Sequence, residues 1–361
     1  MSEILNMDDE KSTLVSKCDG CGANMSFSPE KQMMACAHCG TTKEIPKSLA
    51  TPQPIEKLNA VSAWQKETHI YTCNNCGAAS VLSKQEIAVN CPFCGTSNIV
   101  ESKELSGLKP NGVVPFKIGA GKASDIAQVW IKKRFFAPDR FKQSAEPEEI
   151  EGVYNPAFSF NADTLSSYSG TLVKYIYETK TVNGKKVTTR KENRFNISGT
   201  LPKNFAELLI QAQTTIKQKT IDKIAPFDTG NCPAYNKDYL FGFIASQHTK
   251  NGPACWTEAR GIMDAAIKRA VLSKYTYDRV ERLNISTAVN AASFKYNMLP
   301  IYIGHCTYKE KLYNFYINGA NGKLDGKAPV SAIKVTLTIL FPIGLAVLAV
   351  RGIIKLFRRK K

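Results

Sequence analysis

Catalytic signatures are what this sequence lacks. It carries no HExxH for a zinc hydrolase, no GxSxG for a serine nucleophile and no GxGxxG after a strand for a dinucleotide. "GAGKAS", from Gly119 to Ser124, resembles a phosphate loop but is incomplete. A P-loop needs GxxxxGK[ST], whereas Phe116 stands where the first glycine belongs and Ala123 follows the lysine. Without that glycine the backbone cradle does not form, and without the hydroxyl the magnesium ligand is missing. The stretch therefore reads as a loop entering a helix. The acidic start, "MSEILNMDDEKSTLVS", has no apolar h-region, so no cleavable signal peptide is expected. Cysteines in a chain that is not exported stay reduced, and paired CxxC motifs then point to metal before disulfide. Cys232, Cys255, Cys306, His248 and His305 are scattered. A Cys–His nucleophile pair is weighed against core cysteines with incidental histidines, and the second reading is preferred. No catalytic residue is expected.

The motif that is present is Cys-x-x-Cys-Gly, four times within the first hundred residues. The copies are "CDGCGA" from Cys18, "CAHCGT" from Cys36, "CNNCGA" from Cys73 and "CPFCGT" from Cys91. Fourteen residues separate Cys21 from Cys36, and fourteen separate Cys76 from Cys91; the second unit lies 55 positions after the first. Zinc takes four soft ligands at tetrahedral corners, which thiolates suit. Two sets follow: Cys18, Cys21, Cys36 and Cys39, then Cys73, Cys76, Cys91 and Cys94. The expectation is two Zn²⁺ per chain. The glycine after each pair (Gly22, Gly40, Gly77, Gly95) permits the positive φ that such a knuckle needs. The linking segments "ANMSFSPEKQMMA" and "AASVLSKQEIAVN" have the length of two short strands each. Each unit thus reads as a zinc ribbon, folded by its metal with on the order of 10 kcal/mol per site. Disulfides or a redox CxxC are the rival; the redox motif expects a thioredoxin-like βαβ setting, which is missing. His38 sits inside the second knuckle, but the second unit has Phe93 there and keeps four cysteines, so His38 is expected to face solvent.

The net charge of +17 calls for an acidic partner, nucleic acid or an anionic membrane surface. The ribbons do not carry it. Residues 17–45 hold Lys17, Lys31 and Lys43 against Asp19, Glu30 and Glu44, and residues 72–97 hold only Lys84 and Glu86. That argues against phosphate binding by the ribbons and for protein docking or architecture. The segment from Lys174 to Arg194 has seven cationic residues against two acidic ones. It reads as a solvated face that could also lie on anionic lipid.

Between these regions the pattern implies an α+β domain over 108–330. "GKASDIAQVWIKKRFF" places Ile126, Val129, Trp130 and Phe136 near helical spacing, and "FAPDRF" ends that helix at a proline. "GVYNPAFSFNA" reads as a strand through Val153, Phe158 and Phe160. "GTLVKYIYETKTVNGKKVTTRKENRFNISGT" reads as a long hairpin with a type I′ turn at Asn183-Gly184. "NFAELLIQAQTTIKQ" reads as a helix from Asn204, and Thr257-Glu258 caps another. Closing strands carry turns at Asn318-Gly319 and Asn321-Gly322. The tail "VTLTILFPIGLAVLAV" is sixteen uncharged residues, about 24 Å as a helix, and reaches the roughly 30 Å of a bilayer core by extending to Ile354. A buried core helix is the rival, but the run is apolar all round. Lys334, Arg351, Lys355, Arg358, Arg359, Lys360 and Lys361 would flank it at the headgroups. Tail anchoring and a re-entrant bend at Pro342-Ile343-Gly344 both remain open.

The whole then divides into an acidic arm (1–16), ribbon 1 (17–45), a linker (46–70), ribbon 2 (71–100), the α+β domain (108–330), a transmembrane or re-entrant segment (333–356) and a basic tail (357–361). The doubled CxxCG units, "LKPNGVVPFKIG…WIKKRFFAPDRFK", "GVYNPAFSF", "APFD…CPAYNKDYLFGF" and "LPIY…YNFYINGANGKLDGKAP" resemble the bacterial TFIIB-type zinc-ribbon-containing proteins with a C-terminal membrane segment. The helicase-like label such proteins often carry has no motor motif behind it here. The tail, the charge and the neutral ribbons together read as an adaptor on the cytoplasmic face of the bacterial inner membrane, single-pass, with anionic lipid as partner and nucleic acid not expected. The resemblance adds phage-shock-type or membrane-scaffold proteins as implied partners. The alternative is a zinc-dependent nucleic-acid-binding protein of replication or transcription.

Overall fold

The computed structural model of the chain describes residues 16–59, 69–73, 79–82, 91, 93, 99–102, 108–144, 150–182, 184–338, 340 and 351. Ribbon 1 forms a sheet of its own. β1 (Ser16–Lys17), β2 (Asn24–Ser28), β3 (Met33–Cys36) and β4 (Thr42–Lys43) follow one another antiparallel. Met25 and Phe27 on β2 and Met34 and Cys36 on β3 are buried, every second residue, as a strand with one covered face requires.

A second, eleven-stranded sheet makes the body. Short strands β5 (Gln53–Pro54), β6 (His69–Cys73), β7 (Ala79–Leu82), β8 (Ile99–Ser102) and β9 (Gly112–Val113) precede its long members. β10 (Glu151–Val182), β11 (Lys185–Gln211) and β13 (Arg279–Tyr308) run 32, 27 and 30 residues, with β10 in the middle. β12 (Ile244–Ser246), β14 (Lys311–Asn318) and β15 (Leu324–Gly326) complete it. The helices are α1 (Ala120–Lys132), α2 (Asp139–Ser144), α3 (Gln218–Ile224) and α4 (Gly252–Leu272).

Residue choice explains where the long strands are covered. Ala162, Thr164, Ser166, Tyr168 and Leu172 of β10 are buried in alternation, the mark of a half-covered strand. Nearer the body, Val153 to Phe160 are buried without a break, so both faces are covered there. α4 supplies one cover. Its buried Cys255, Ala259, Met263, Ile267 and Val271 recur every fourth residue and form a stripe along the sheet. The Asn251 side chain accepts from the Ala254 N–H and opens α4 ahead of the expected Thr257-Glu258 cap; the Thr257 hydroxyl bonds back to the Pro253 carbonyl. α1 begins at Ala120, so all of the false phosphate loop after its N-cap Gly119 is already helical; it buries Ala123, Ala127 and Ile131, while Val129 and Phe136 are exposed. The "VYNPAF" and "KYNMLP" motifs lie side by side, Tyr154 opposite Pro300 and Phe158 opposite Tyr296.

Three expectations are corrected. The α+β class gives way to a mostly antiparallel β architecture with few helices. The helix expected from Asn204 is the end of β11. A bulge there sets Ala162 opposite Phe205 but Phe160 opposite Leu208, with the Glu207 N–H bonded to the Asn161 side chain. The extra residue turns a two-residue apolar period into a three-residue one, which imitates a helix. Third, no helix of the described residues is long and apolar enough to cross a membrane. The transmembrane segment over 333–356, and the single-pass inner-membrane placement drawn from it, are corrected on that finding. Residues 332–338 are helical, but Lys334, Thr336 and Thr338 break the apolar character of these first turns. Lys334 is also tied to the body: its Nζ donates to the Ala137 carbonyl at 3.0 Å and to Asp139 Oδ1 at 2.5 Å. Arg351 is exposed. Residues 341–350, together with Lys355, Arg358, Arg359, Lys360 and Lys361, lie outside the described residues, as does the acidic arm before Ser16.

Candidate metal centre

β1 delivers Cys18 and β3 delivers Cys36, each into a tight turn. The two turns are built alike. The Gly22 N–H donates to the Cys18 carbonyl at 2.8 Å and the Gly40 N–H to the Cys36 carbonyl at 3.0 Å. The Cys18 N–H reaches the Ala23 carbonyl at 2.8 Å, and the Cys36 N–H the Thr41 carbonyl at 2.9 Å. Gly22 and Gly40 adopt φ of 72° and 77°, the left-handed region that a side chain would strain.

The result is a cluster of four sulfurs, all within 4.8 Å of one another. Cys18 Sγ lies 3.4 Å from Cys39 Sγ, and Cys21 Sγ 3.6 Å from Cys36 Sγ. A tetrahedral ion with metal–sulfur bonds of about 2.3 Å holds its sulfurs about 3.8 Å apart, so this cage fits one metal ion. Cys18 and Cys36 are buried, and Cys21 and Cys39 are exposed at the tips. The Thr41 hydroxyl and N–H hold the Cys39 thiol down at about 6. The Gly20 N–H draws Cys18 below the ordinary thiol range. The Ala23 N–H pulls Cys21 the same way, but Cys39, burial and the other thiols outweigh it and push Cys21 up to about 12. Four thiols this close cannot all shed protons unaided, and a metal cation is what replaces those protons. His38 is exposed, as its counterpart Phe93 suggested.

The ribbon is docked, not dangling. The Phe27 N–H donates to the Phe241 carbonyl at 2.9 Å, and the Gln32 side chain to the Phe116 carbonyl at 2.6 Å. The Phe27 ring meets Tyr239 edge-on at 5.3 Å, and Phe116 stacks on Phe243 at 4.1 Å. These receiving aromatics belong to the segments "VVPFKIG" and "YNKDYLFGF". Their clustering of aromatics around a neutral ribbon was the available signal for a docking floor.

Of the second set, Cys73 and Cys91 are buried, while Cys76, Cys94, Gly77 and Gly95 lie outside the described residues. The strand register nevertheless repeats. Ser16 pairs with Met25 and Lys17 with Asn24; Tyr71 pairs with Ser80 and Thr72 with Ala79, each number 55 higher. The remaining cysteines sit elsewhere. Cys232 donates to the Thr229 carbonyl at 3.3 Å and Cys255 to the Gln211 carbonyl at 3.9 Å, and burial pushes both thiols up to about 11. Such thiols are inert at neutral pH. Cys306 is buried, and His248 Nδ1 lies 3.1 Å from the Tyr296 hydroxyl.

One polar constellation had not been anticipated. Lys295 is buried and its Nζ lies 3.1 Å from Glu207 Oε1, while it also donates to the Gly230 carbonyl at 3.1 Å. Burial drives the Glu207 carboxyl up, but the Thr229 hydroxyl and Lys295 outweigh it and hold it below the usual range. The lone lysine inside the apolar "SFKYNMLP" run was the sequence signal. The pair ties the loop through Thr229 and Gly230 to the sheet, so its role is structural.

No family model and no solved structure matches this chain. A Bacillus subtilis (strain 168) protein, "Uncharacterized protein YdjG", is 26% identical over 324 residues, covering 88% of this chain and 91% of that one.

Proposed function

We propose that this chain is a non-catalytic, zinc-stapled adaptor in which the ribbons lock the architecture and the long β sheet presents the binding surface. The observation that carries the reading is the four-sulfur cage on β1–β4, whose strands are packed into the aromatic floor of the body. Thiolate donors in tetrahedral spacing suit zinc, and a closed four-cysteine set leaves no open position for catalysis. The repeated strand register supports a second equivalent at Cys73, Cys76, Cys91 and Cys94. The resemblance to bacterial TFIIB-type zinc-ribbon proteins points the same way.

Elemental analysis of reduced full-length protein, purified without chelator, tests it. Close to two zinc equivalents are expected, with a fall in thermal midpoint on chelation. Metal-free protein with an unchanged midpoint overturns the reading. A nucleic-acid-binding function is the second reading, favoured by the basic end of the long hairpin.

A further inference from the structure

β13 stops pairing with β10 at Val173, opposite Arg279. From Lys174 onward β10 has only β11 beside it, through to Val182 opposite Lys185. Nine paired positions at about 3.3 Å each make a free two-stranded ribbon about 30 Å long. Its base is fixed. Asp278 accepts from the Tyr175 N–H at 2.6 Å, and Arg194 bridges Glu192 at 2.6 Å and Glu281 at 3.1 Å.

The ribbon's two acids are already engaged. Glu178 pairs with Lys191 at 2.8 Å, and Glu192 pairs with Arg194 and Arg279. Lys174, Lys180, Lys185, Lys186 and Arg190 have no acidic partner among the described residues; Arg190 lies over the Tyr175 ring at 4.4 Å. Pairing fixes their faces. Lys174, Lys180, Lys185 and Lys191 share one face, and Lys186 and Arg190 share the other. All of these cations are exposed.

Cations on both faces select the partner. A protein interface has a charge-depleted core; exposed Ile176 and Val187 each sit opposite a lysine (Lys191 and Lys180) and exposed Tyr177 sits opposite Arg190, so neither face has an apolar centre free of charge. A flat anionic surface engages one face and leaves the other unused. A groove between two phosphate backbones engages both. The major groove of B-form DNA is about 12 Å wide and admits a two-stranded ribbon. We propose that the ribbon over residues 174–193 docks into the major groove of double-helical DNA, its lysines on phosphates and without base specificity. This goes beyond the adaptor reading and gives the second, nucleic-acid reading its site on the β surface; it leaves the neutral zinc ribbons outside the contact.

The test is anisotropy of a labelled DNA duplex of about 20 base pairs titrated with full-length protein. With five cations engaged, log K should fall with log salt at a slope of about −4.5, roughly 500-fold between about 50 and 200 mM. The variant Lys180→Gln/Lys185→Gln/Lys186→Gln removes three contacts, so the slope should become shallower by about 2.7, leaving roughly a 12-fold fall. Circular dichroism and zinc content establish that the variant is folded. No binding at low salt, or an unchanged slope in the folded variant, overturns the proposal. Binding of a polyglutamate peptide but not of duplex assigns the ribbon to an acidic protein and also overturns it, while the adaptor reading stands. Duplex binding by a protein that holds no zinc overturns the adaptor reading alone.

Discussion

Two cysteine units with one spacing meet different surroundings in this molecule. In ribbon 1 the sheet is separate, and Cys21, His38 and Cys39 are exposed at its tips. It is held to the body through one face, by Phe27 and its aromatic neighbours. In ribbon 2 the β6–β7 hairpin is stitched into the body sheet, where Val81 pairs with Ala245 and Ser80 with Ser246. Its knuckle residue Phe93 is buried, and the Phe93 carbonyl accepts from the Asn314 side chain at 3.1 Å. Ligand spacing thus sets the local register twice. One side chain inside the knuckle, His38 or Phe93, marks which tip meets water and which meets the core.

Breaking ribbon 1 chemically is expected to have the largest effect. Cys36→Ser removes one corner of the cage, and with it on the order of 10 kcal/mol of metal binding that folds the ribbon. One metal equivalent should disappear and the aromatic floor should open. Elemental analysis with fluorescence of the bared aromatics checks both. A variant that keeps its full metal content would show that the cage is not the site.

Breaking the dock without touching a ligand comes next. Phe27→Ala deletes a buried ring between Tyr239 and Phe243 and should cost about 3–5 kcal/mol in chemical denaturation. Zinc content should hold, because no sulfur moves. A cost under 1 kcal/mol would mean that ribbon 1 is hinged rather than packed.

The knuckle exchange sharpens the comparison. Phe93→His puts a polar ring among buried apolar neighbours and should cost about 2–4 kcal/mol. His38→Phe at the exposed equivalent should change stability by less than about 0.5 kcal/mol. Equal costs would erase the distinction between the two tips. Gly22→Ala and Gly40→Ala fall between these two. A Cβ meets nothing within 4 Å at either position, so the penalty is backbone strain alone, about 1–2 kcal/mol each. Thermal denaturation of the two single variants should give similar values, since the two turns match bond for bond.

Ribbon 1 was legible because metal geometry tolerates one spacing, and the spacing was written out in full; of the second unit the described residues show the repeated strand register. The hairpin was legible as well: Val182 pairs with Lys185, and Gly184 takes a φ of 75°; Asn183 lies outside the described residues. What misled was apolar spacing alone. Phe205, Leu208 and Leu209 fit a helix until the bulge at Glu207 accounts for the extra residue. The tail showed the same weakness. Hydropathy read an apolar run, but it carried no sign that Lys334 would be tied to Asp139. The docking floor was present as motifs without a geometry, because Phe116 and Phe243 are far apart in the chain and meet against Tyr154 of β10, with Tyr302 of β13 beside Phe116.

The smallest effect expected is one of order rather than of stability. Cys21 and Cys39 are both exposed, so accessibility does not separate them. Their proton affinities do. The Thr41 hydroxyl and N–H hold Cys39 at about 6, and crowding by neighbouring thiols pushes Cys21 up to about 12. A lowered folded value favours the folded ribbon above the ordinary thiol range near 9, and that contribution fades as pH falls through about 6. The thiolate is the nucleophile, so after chelation at neutral pH, while ribbon 1 is still packed on the body through Phe27, iodoacetamide should label Cys39 well before Cys21. Labelling at Cys39 should slow as pH drops through about 6, while Cys21 stays slow throughout. Peptide mass spectrometry over a timed series reads both rates. Equal rates at the two tips would show that Thr41 does not set the Cys39 thiolate, and Thr41→Val, which removes the hydroxyl and keeps the shape, should then change nothing. If Thr41 does set it, that variant should bring Cys39 toward the ordinary thiol range and narrow the gap between the tips.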